Sequence, residues 1–163
     1  MGKKTAFALV PIVSVFVILF VECLKFNSPP SITAVQQDFK NNYSAIRIIV
    51  EFITSEKYEN VYILEANGVM RADFANVQIE NNQVVDAIKQ ILENGNYKSI
   101  CKRGNTIYLL QWKGVRDIGC GIAYSINGID LPNIEYMTQC SPLDKDNWYY
   151  YVSDYNSWRN QQG

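Results

Sequence analysis

An aromatic tract near the C-terminal end of the sequence is the stretch best suited to binding chemistry. Its six large rings are Trp148, Tyr149, Tyr150, Tyr151, Tyr155 and Trp158. If residues 148–152 form a strand, Tyr149 and Tyr151 point to one face of the sheet and Trp148 and Tyr150 to the other. One face should join the core, and the other could bind a sugar, a peptide or a partner protein, because Tyr and Trp dominate interface energetics. The alternatives are a strand buried on both faces and a ring cluster at the membrane–water boundary.

The sequence contains no histidine. This absence removes the usual general base, the usual metal ligand and the Ser-His and Cys-His nucleophile pairs. Acidic residues alternate at Asp144 and Asp146, but the glycine and the terminal glutamate of a calcium-binding EF-hand loop do not follow. We therefore expect no metal, no cofactor and no enzyme activity, and an enzyme based on carboxylates or cysteine is the least favoured class.

The four cysteines do not form a metal-binding pattern. Cys23 lies at the end of an apolar run, and Cys101, Cys120 and Cys140 lack the CxxC pairing of zinc sites. In an oxidising compartment, one disulfide could form among Cys101, Cys120 and Cys140 and leave one thiol. Buried free thiols are equally compatible with the sequence.

The N-terminal region predicts a membrane anchor. Residues 6–21 carry no charge and follow Lys3 and Lys4, and about 17 apolar helical residues are the lower bound for a span. We predict an anchor over residues 1–25, embedded through residues 5–21. The two lysines place the N-terminus in the cytoplasm of a bacterial cell. A cleaved signal peptide is the alternative, although no small-x-small site follows the run.

The remaining chain divides into a Pro-containing linker at residues 26–33, one domain at residues 34–159 and a short tail at residues 160–163. Apolar residues recur every three or four positions from Ile32 to Ile53, which predicts a long helix over residues 33–57. A second helix is predicted over residues 83–94, between the caps Asn81 or Asn82 and Gly95.

Alternating residues predict a hairpin with strands at 60–66 and 69–74 around a two-residue turn at Asn67-Gly68. Five further strands are predicted at residues 97–102, 106–113, 119–126, 134–140 and 148–152. Gly119-Cys120-Gly121 is expected to mark a bulge or a close backbone contact. Basic residues around the turn at 103–105 are typical of a solvated hairpin end; they are Lys102, Arg103, Lys113 and Arg116.

These elements predict an α+β fold. After the N-terminal transmembrane helix we expect a mainly antiparallel sheet of about five to seven strands, because runs of strands alternate with segregated helices. One long helix and one shorter helix should pack on this sheet.

Residues 119–128 (GCGIAYSING), together with residues 148–151 and 154–159, resemble a pattern found in small uncharacterised membrane-anchored proteins of Firmicutes. The resemblance covers residues 60–159 and implies membrane attachment, but it implies no site residue. The order of long helix, hairpin, second helix and antiparallel strands is also similar to that of extracytoplasmic PAS-like (Cache) sensor domains. That similarity implies a domain that senses a small ligand.

The sequence therefore predicts a single-pass, membrane-anchored domain outside the cytoplasm that acts by binding. A protein partner is favoured, and a PAS-like small-ligand sensor is the alternative. The bilayer is contacted through residues 5–21. The net charge of −1 and the pI of about 5.5 give no basic footprint for nucleic acid.

Overall fold

The computed structural model describes residues 28–114 and 118–161. The predicted anchor, Cys23 and Arg116 lie outside these ranges. Within them, no helix has both the length and the apolar character that crossing a bilayer requires. The described part forms three helices and one antiparallel sheet of eight strands. This architecture confirms the α+β class and corrects the predicted count of five to seven strands.

The helices are α1 (Ile32–Ser55), α2 (Asn82–Leu92) and α3 (Tyr155–Gln161). The strands are β1 (Asn60–Ile63), β2 (Val69–Ala72), β3 (Ala75–Gln78), β4 (Ser99–Arg103), β5 (Thr106–Lys113), β6 (Ile118–Ser125), β7 (Met137–Pro142) and β8 (Trp148–Asp154). Their order in the sheet is β3-β2-β1-β4-β5-β6-β8-β7, so β3 and β7 are its two edges.

Helix α1 confirms the long helix that the apolar periodicity predicts. It begins after Ser31, whose hydroxyl accepts a hydrogen bond from the Ala34 amide at 3.3 Å, as expected of an N-cap. Its apolar stripe, which includes Phe39, Ile46 and Ile53, is buried. The stripe packs against α2 and one face of the sheet, the inner face.

The end of α1 is held by Lys102 of β4, which corrects the expectation of a solvated basic end. Lys102 is only 7% exposed, and its Nζ donates to the carbonyl oxygens of Ile53 and Glu56 at 3.2 Å each. The last carbonyls of a helix have no partner within the helix, so this ammonium group supplies one. Strand alternation directs Lys102 to the inner face while its neighbour Arg103 stays exposed on the other.

The opposite, outer face of the sheet is covered only in part. The connection between β6 and β7, residues 126–136, crosses it, and Ile134 packs there against Ala123 and Tyr151. The outer face of β1, β2 and β3 remains open to solvent, and it is lined by side chains such as Tyr62, Arg71 and Asn76.

The predicted two-residue turn at Asn67-Gly68 is wrong. β1 ends at Ile63 and β2 begins at Val69, so residues 64–68 form a longer connection. A two-residue turn forms instead at Asp73 and Phe74, where it joins β2 to β3, a strand that the sequence did not predict. The φ angles of Asp73 and Phe74 are 42° and 74°, and two positive values are the mark of a type I′ turn.

The glycine pair in β6 confirms the predicted bulge or close contact. The pairing of β5 with β6 shifts between Leu110 and Trp112, and a Cβ on Gly121 would collide with the carbonyl oxygen of Leu109. Only a glycine lets the two backbones approach this closely.

Candidate functional site: the outer face of the β1–β3 hairpin

The aromatic tract is divided among different environments. Trp148 and Tyr150 are buried on the inner face, as the strand alternation predicts. The Trp148 ring lies 4.8 Å from the Phe39 ring and 5.0 Å from the Tyr124 ring, measured between centroids. The Tyr150 hydroxyl donates to the Pro30 carbonyl at 3.0 Å. These two residues fasten α1 and the preceding linker to the sheet.

The opposite side of β8 is also covered at its centre. Tyr151 is 1% exposed and lies beneath the 126–136 connection, with its ring 6.1 Å from that of Tyr108. Tyr149, two residues earlier on the same face, is half-buried. Most of β8 is therefore buried on both faces, which is one of the alternatives that the sequence left open.

The last two rings of the tract lie on α3. Tyr136 packs against Tyr155 at 4.8 Å and against Trp158 at 5.2 Å, measured between ring centroids. Tyr155 remains 37% exposed. Of the predicted binding residues, Tyr155 is therefore the one most accessible to a partner, while Trp148, Tyr150 and Tyr151 support the fold.

The three described cysteines, Cys101, Cys120 and Cys140, are free thiols, which agrees with the alternative to a disulfide among them. Cys120 lies on the inner face, and the register places Cys101 and Cys140 on the outer face. Three strands separate β4 from β7, which puts Cys101 roughly 19 Å from Cys140 at the usual strand spacing. Burial raises the pKa of Cys120 to about 12 and also raises those of Cys101 and Cys140, so none of the three is an activated nucleophile.

A groove of about 600 Å³ on the outer face of β1–β3 has a mainly apolar lining and carries exposed large side chains. We call it the hairpin groove. It is lined by Asn60, Tyr62, Leu64, Glu65, Asn67, Val69, Arg71, Phe74 and Asn76. The sequence analysis missed it, because its residues come from three short strands, one of which was not predicted.

Two large apolar side chains lie open in the hairpin groove. Phe74 is 87% exposed and Leu64 is 67% exposed. Phe74 also occupies the second central position of the type I′ turn, where its φ is 74°. Glycine and asparagine are the residues usually found there, since a bulky side chain at positive φ is strained.

Asp73 fixes the turn that presents Phe74. Its carboxylate accepts hydrogen bonds from the Asn60 amide at 2.9 Å and from the Glu59 amide at 3.3 Å. Hydrogen bonding from the Asn60 amide is the main cause that lowers the pKa of Asp73. The tip of the hairpin is therefore tied to the start of β1, and Phe74 projects from a constrained backbone.

A polar contact borders the groove on the side of β4. Arg103 Nε donates to the Tyr62 hydroxyl at 3.2 Å, and Arg103 Nη1 pairs with Glu135 at 3.1 Å. Hydrogen bonds from Tyr136 and Arg103 lower the pKa of Glu135. Arg71, in contrast, has no ion-pair partner among the described residues, so its charge is available to a bound molecule.

The arrangement suits binding. Two exposed apolar side chains and one uncommitted cation line the same groove beside an edge strand. These are the elements of peptide recognition by strand addition. The described part of the chain holds no cluster of three or more potential metal ligands. Comparison of the chain with protein-family models, curated proteins and solved structures finds no match.

Proposed function

We propose that this chain is a membrane-anchored, extracytoplasmic binding domain whose partner is another protein. The anchor at residues 5–21 and the outward orientation rest on the charge and hydropathy of the sequence. We further propose that an extended segment of the partner pairs with β3 and covers the hairpin groove.

The exposure and the positive φ of Phe74 are the observation that supports this proposal most strongly. A side chain with a Cβ in the left-handed region costs about 1–2 kcal/mol. An exposed phenylalanine also forgoes about 1.5–3 kcal/mol of possible burial energy. Asparagine tolerates positive φ better than phenylalanine and forgoes no apolar burial. An exposed Phe74 is therefore best explained by a partner that covers its ring.

The free edge of β3 defines the kind of partner. β3 pairs with β2 on one side only, and Ala75, Asn76 and Gln78 are exposed. An added strand would use the unpaired backbone groups of this edge and would direct alternate side chains over the groove. We expect one apolar partner residue near Phe74 and another near Leu64, because the register places these side chains at opposite ends of the groove. An acidic partner residue should lie near Arg71, because complementary charges fix register and specificity.

A photo-crosslinker placed in the groove tests the proposal. Asn76 of the full chain is replaced by p-benzoylphenylalanine, and native cells are irradiated. The same chain is then compared with versions that carry Phe74→Asn or Ile129→Asn. Ile129 is a matched control, because it is also 87% exposed but lies in the 126–136 connection and does not line the groove.

We expect a discrete protein adduct that Phe74→Asn removes and Ile129→Asn preserves. In hydrogen–deuterium exchange, the backbone amides of β3 should then exchange more slowly in the purified complex than in the free chain. The proposal is overturned if no adduct forms, if the adduct persists with Phe74→Asn, or if both variants lose it equally.

A further inference from the structure

One end of the sheet lies beside the point where the linker enters the domain. Strands β5 and β8 end there and β6 begins there, so we call it the linker end. Pro30 of the linker lines a recess of about 400 Å³ together with Lys98, which precedes β4, and Trp112, the penultimate residue of β5. The chain that leads to the proposed anchor therefore leaves the domain beside this end.

The chain between the proposed anchor and the linker end is short. Seven residues lead from Val21, the last residue of the proposed span, to Ser28, the first residue that the structure describes. A fully extended chain covers at most roughly 25 Å over that number of residues. The sheet itself is about as long, since the eight residues of β5 span roughly 25 Å. The bilayer is therefore within reach of the linker end.

Aromatic side chains are concentrated at the linker end. The half-buried ring of Trp112 lies against Gly114, just beyond the end of β5. Helix α3, which follows β8 directly at this end, contributes Tyr155, which is 37% exposed, and the half-buried Trp158. Tyr and Trp are enriched at membrane–water boundaries, because each combines an apolar ring with a polar group that stays hydrated.

Basic side chains accompany these rings. Lys98, Lys113 and Arg159 are all exposed at the same end. Two acidic residues nearby are already engaged within the domain. The carboxylate of Asp154 accepts hydrogen bonds from two amides in the first turn of α3 at 2.9 and 3.1 Å. Asp38 accepts a hydrogen bond from a side-chain amide at 2.8 Å, and its other carboxylate oxygen is buried. The exposed charge of the linker end is therefore mainly positive.

We propose that the linker end rests on the surface of an anionic bilayer, with the strands of the sheet pointing away from it. This inference rests on the anchor in the proposed function. The three basic side chains attract anionic lipid headgroups, and the rings of Trp112, Tyr155 and Trp158 contact the headgroup layer. The short linker keeps both sets of side chains close to the membrane.

This orientation directs the opposite end of the sheet away from the membrane. Phe74 lies at that end, because its turn is bonded to Asn60 at the start of β1, and Asn60 pairs with the last residue of β4. The ring that the partner protein is proposed to cover is thus accessible. The opposite end also exposes Ile129 and Leu131, so it is the competing surface for the bilayer.

The three tryptophans of the sequence provide a test. Trp112 and Trp158 lie at the linker end, whereas Trp148 is six residues along β8 from Asp154, or roughly 20 Å away. The isotope-labelled full chain is placed in nanodiscs of equimolar phosphatidylcholine and phosphatidylglycerol, with a trace of lipid that carries gadolinium on its headgroup. Gadolinium broadens nearby signals steeply with distance, so the three indole N–H intensities report height above the bilayer.

We expect the Trp112 and Trp158 signals to lose most of their intensity and the Trp148 signal to keep most of its own. Nanodiscs of phosphatidylcholine alone should weaken the contrast, because the attraction is electrostatic. The double variant Lys113→Gln, Arg159→Gln should weaken it in the anionic nanodiscs. Lys57→Gln is the matched control, because Lys57 is exposed just before β1 at the opposite end, and it should change nothing.

Three results overturn the inference: equal broadening of the three indole signals, stronger broadening of Trp148 and of the amides of residues 129–131, or an unchanged contrast in the double variant. An unshifted Trp148 signal shows that each variant is folded. Washing vesicles of the same lipids with sodium carbonate separates this inference from the proposed anchor. A chain that is washed off overturns both, and a retained chain with equal broadening overturns only the inference.

Discussion

The two central residues of the β2–β3 turn differ in how well they suit their positions. Asp73 suits its place, because aspartate tolerates positive φ and its carboxylate ties the turn to β1. Phe74 does not suit its place. Its ring is not buried, and glycine or asparagine is favoured over phenylalanine at this position of the turn. The conflict lies in a single side chain, so a single substitution can resolve it.

The carboxylate of Asp73 should make the hairpin sensitive to acid. Its folded pKa is lowered, so its stabilising effect is present above its unfolded pKa, about 3.9, and is lost as the pH falls through the folded value. In Asp73→Asn the unfolding midpoint should therefore fall less between pH 5 and pH 2 than in the native chain. Urea titrations at several pH values measure this, and equal acid slopes in the two proteins would contradict the assignment.

The thiols should differ in reactivity according to burial. Cys101 and Cys120 are buried, Cys140 is half-buried, and burial raises the pKa of all three. Iodoacetamide at pH 8 should modify Cys140 before the other two, and all three should react quickly only in denaturant. Peptide mass spectrometry follows each site. Recovery of a disulfide-linked peptide from among them would show that the described arrangement is incomplete.

At the level of elements, α1 depends on a lysine from a distant strand. Replacement of Lys102 by methionine keeps the apolar stem but removes both hydrogen bonds to the end of α1. We expect a loss of about 1–3 kcal/mol in unfolding free energy, because two carbonyl groups lose a charged donor.

Lys89→Met on the exposed side of α2 is the matched control for this change, and it should shift stability by less than about 0.5 kcal/mol. Chemical denaturation of both variants gives the comparison. If Lys102→Met were as stable as the control, the hydrogen bonds from Lys102 to the end of α1 would contribute nothing measurable to stability.

Strand β8 and helix α3 divide the aromatic tract into a structural part and an accessible part. Trp148→Ala should cost about 3–5 kcal/mol, since its ring fills the space between α1 and β6. Tyr155→Ala should cost less than about 1 kcal/mol, because the side chain is partly exposed. Thermal unfolding with circular dichroism separates the two, and similar losses would mean that α3 is part of the core.

For the whole molecule, the titrating groups predict a broad plateau of stability. The sequence has no histidine, so no side chain with an ordinary pKa titrates between about pH 5 and pH 8. Below the plateau, the lowered pKa values of Asp73, Glu135, Asp144 and Asp154 mean that stability is lost as these groups become protonated.

Above the plateau, the pKa values of Cys120 and Tyr150 are both raised to about 12. Their contribution is complete below the unfolded values, about 8.5 and 10, and it is lost as the pH rises through the folded ones. Unfolding midpoints should therefore be flat from pH 5.5 to pH 8 and fall on both sides. A maximum inside that range would contradict this picture.

Sequence periodicity predicted the parts of the fold in which one face is buried. The apolar stripe of α1, the alternation of β8 and the glycine contact of β6 were all readable, because each follows from local geometry. β3 was missed because Asp73-Phe74 lacks the usual turn residues, so the short apolar–polar alternation of Ala75–Gln78 was not separated from the strand before it. The hairpin groove was missed because its side chains come from separate strands, and only the tertiary structure brings them together.

The most direct test of the central claim compares the native chain with Phe74→Asn in two measurements on the same preparations. We predict that the unfolding free energy rises by about 0.5–1 kcal/mol, because asparagine relieves the positive-φ strain and no buried surface is lost. We also predict that the cross-link from position 76 disappears. A fall in stability would show that Phe74 is a structural residue, and an unchanged cross-link would show that the hairpin groove is not the partner site.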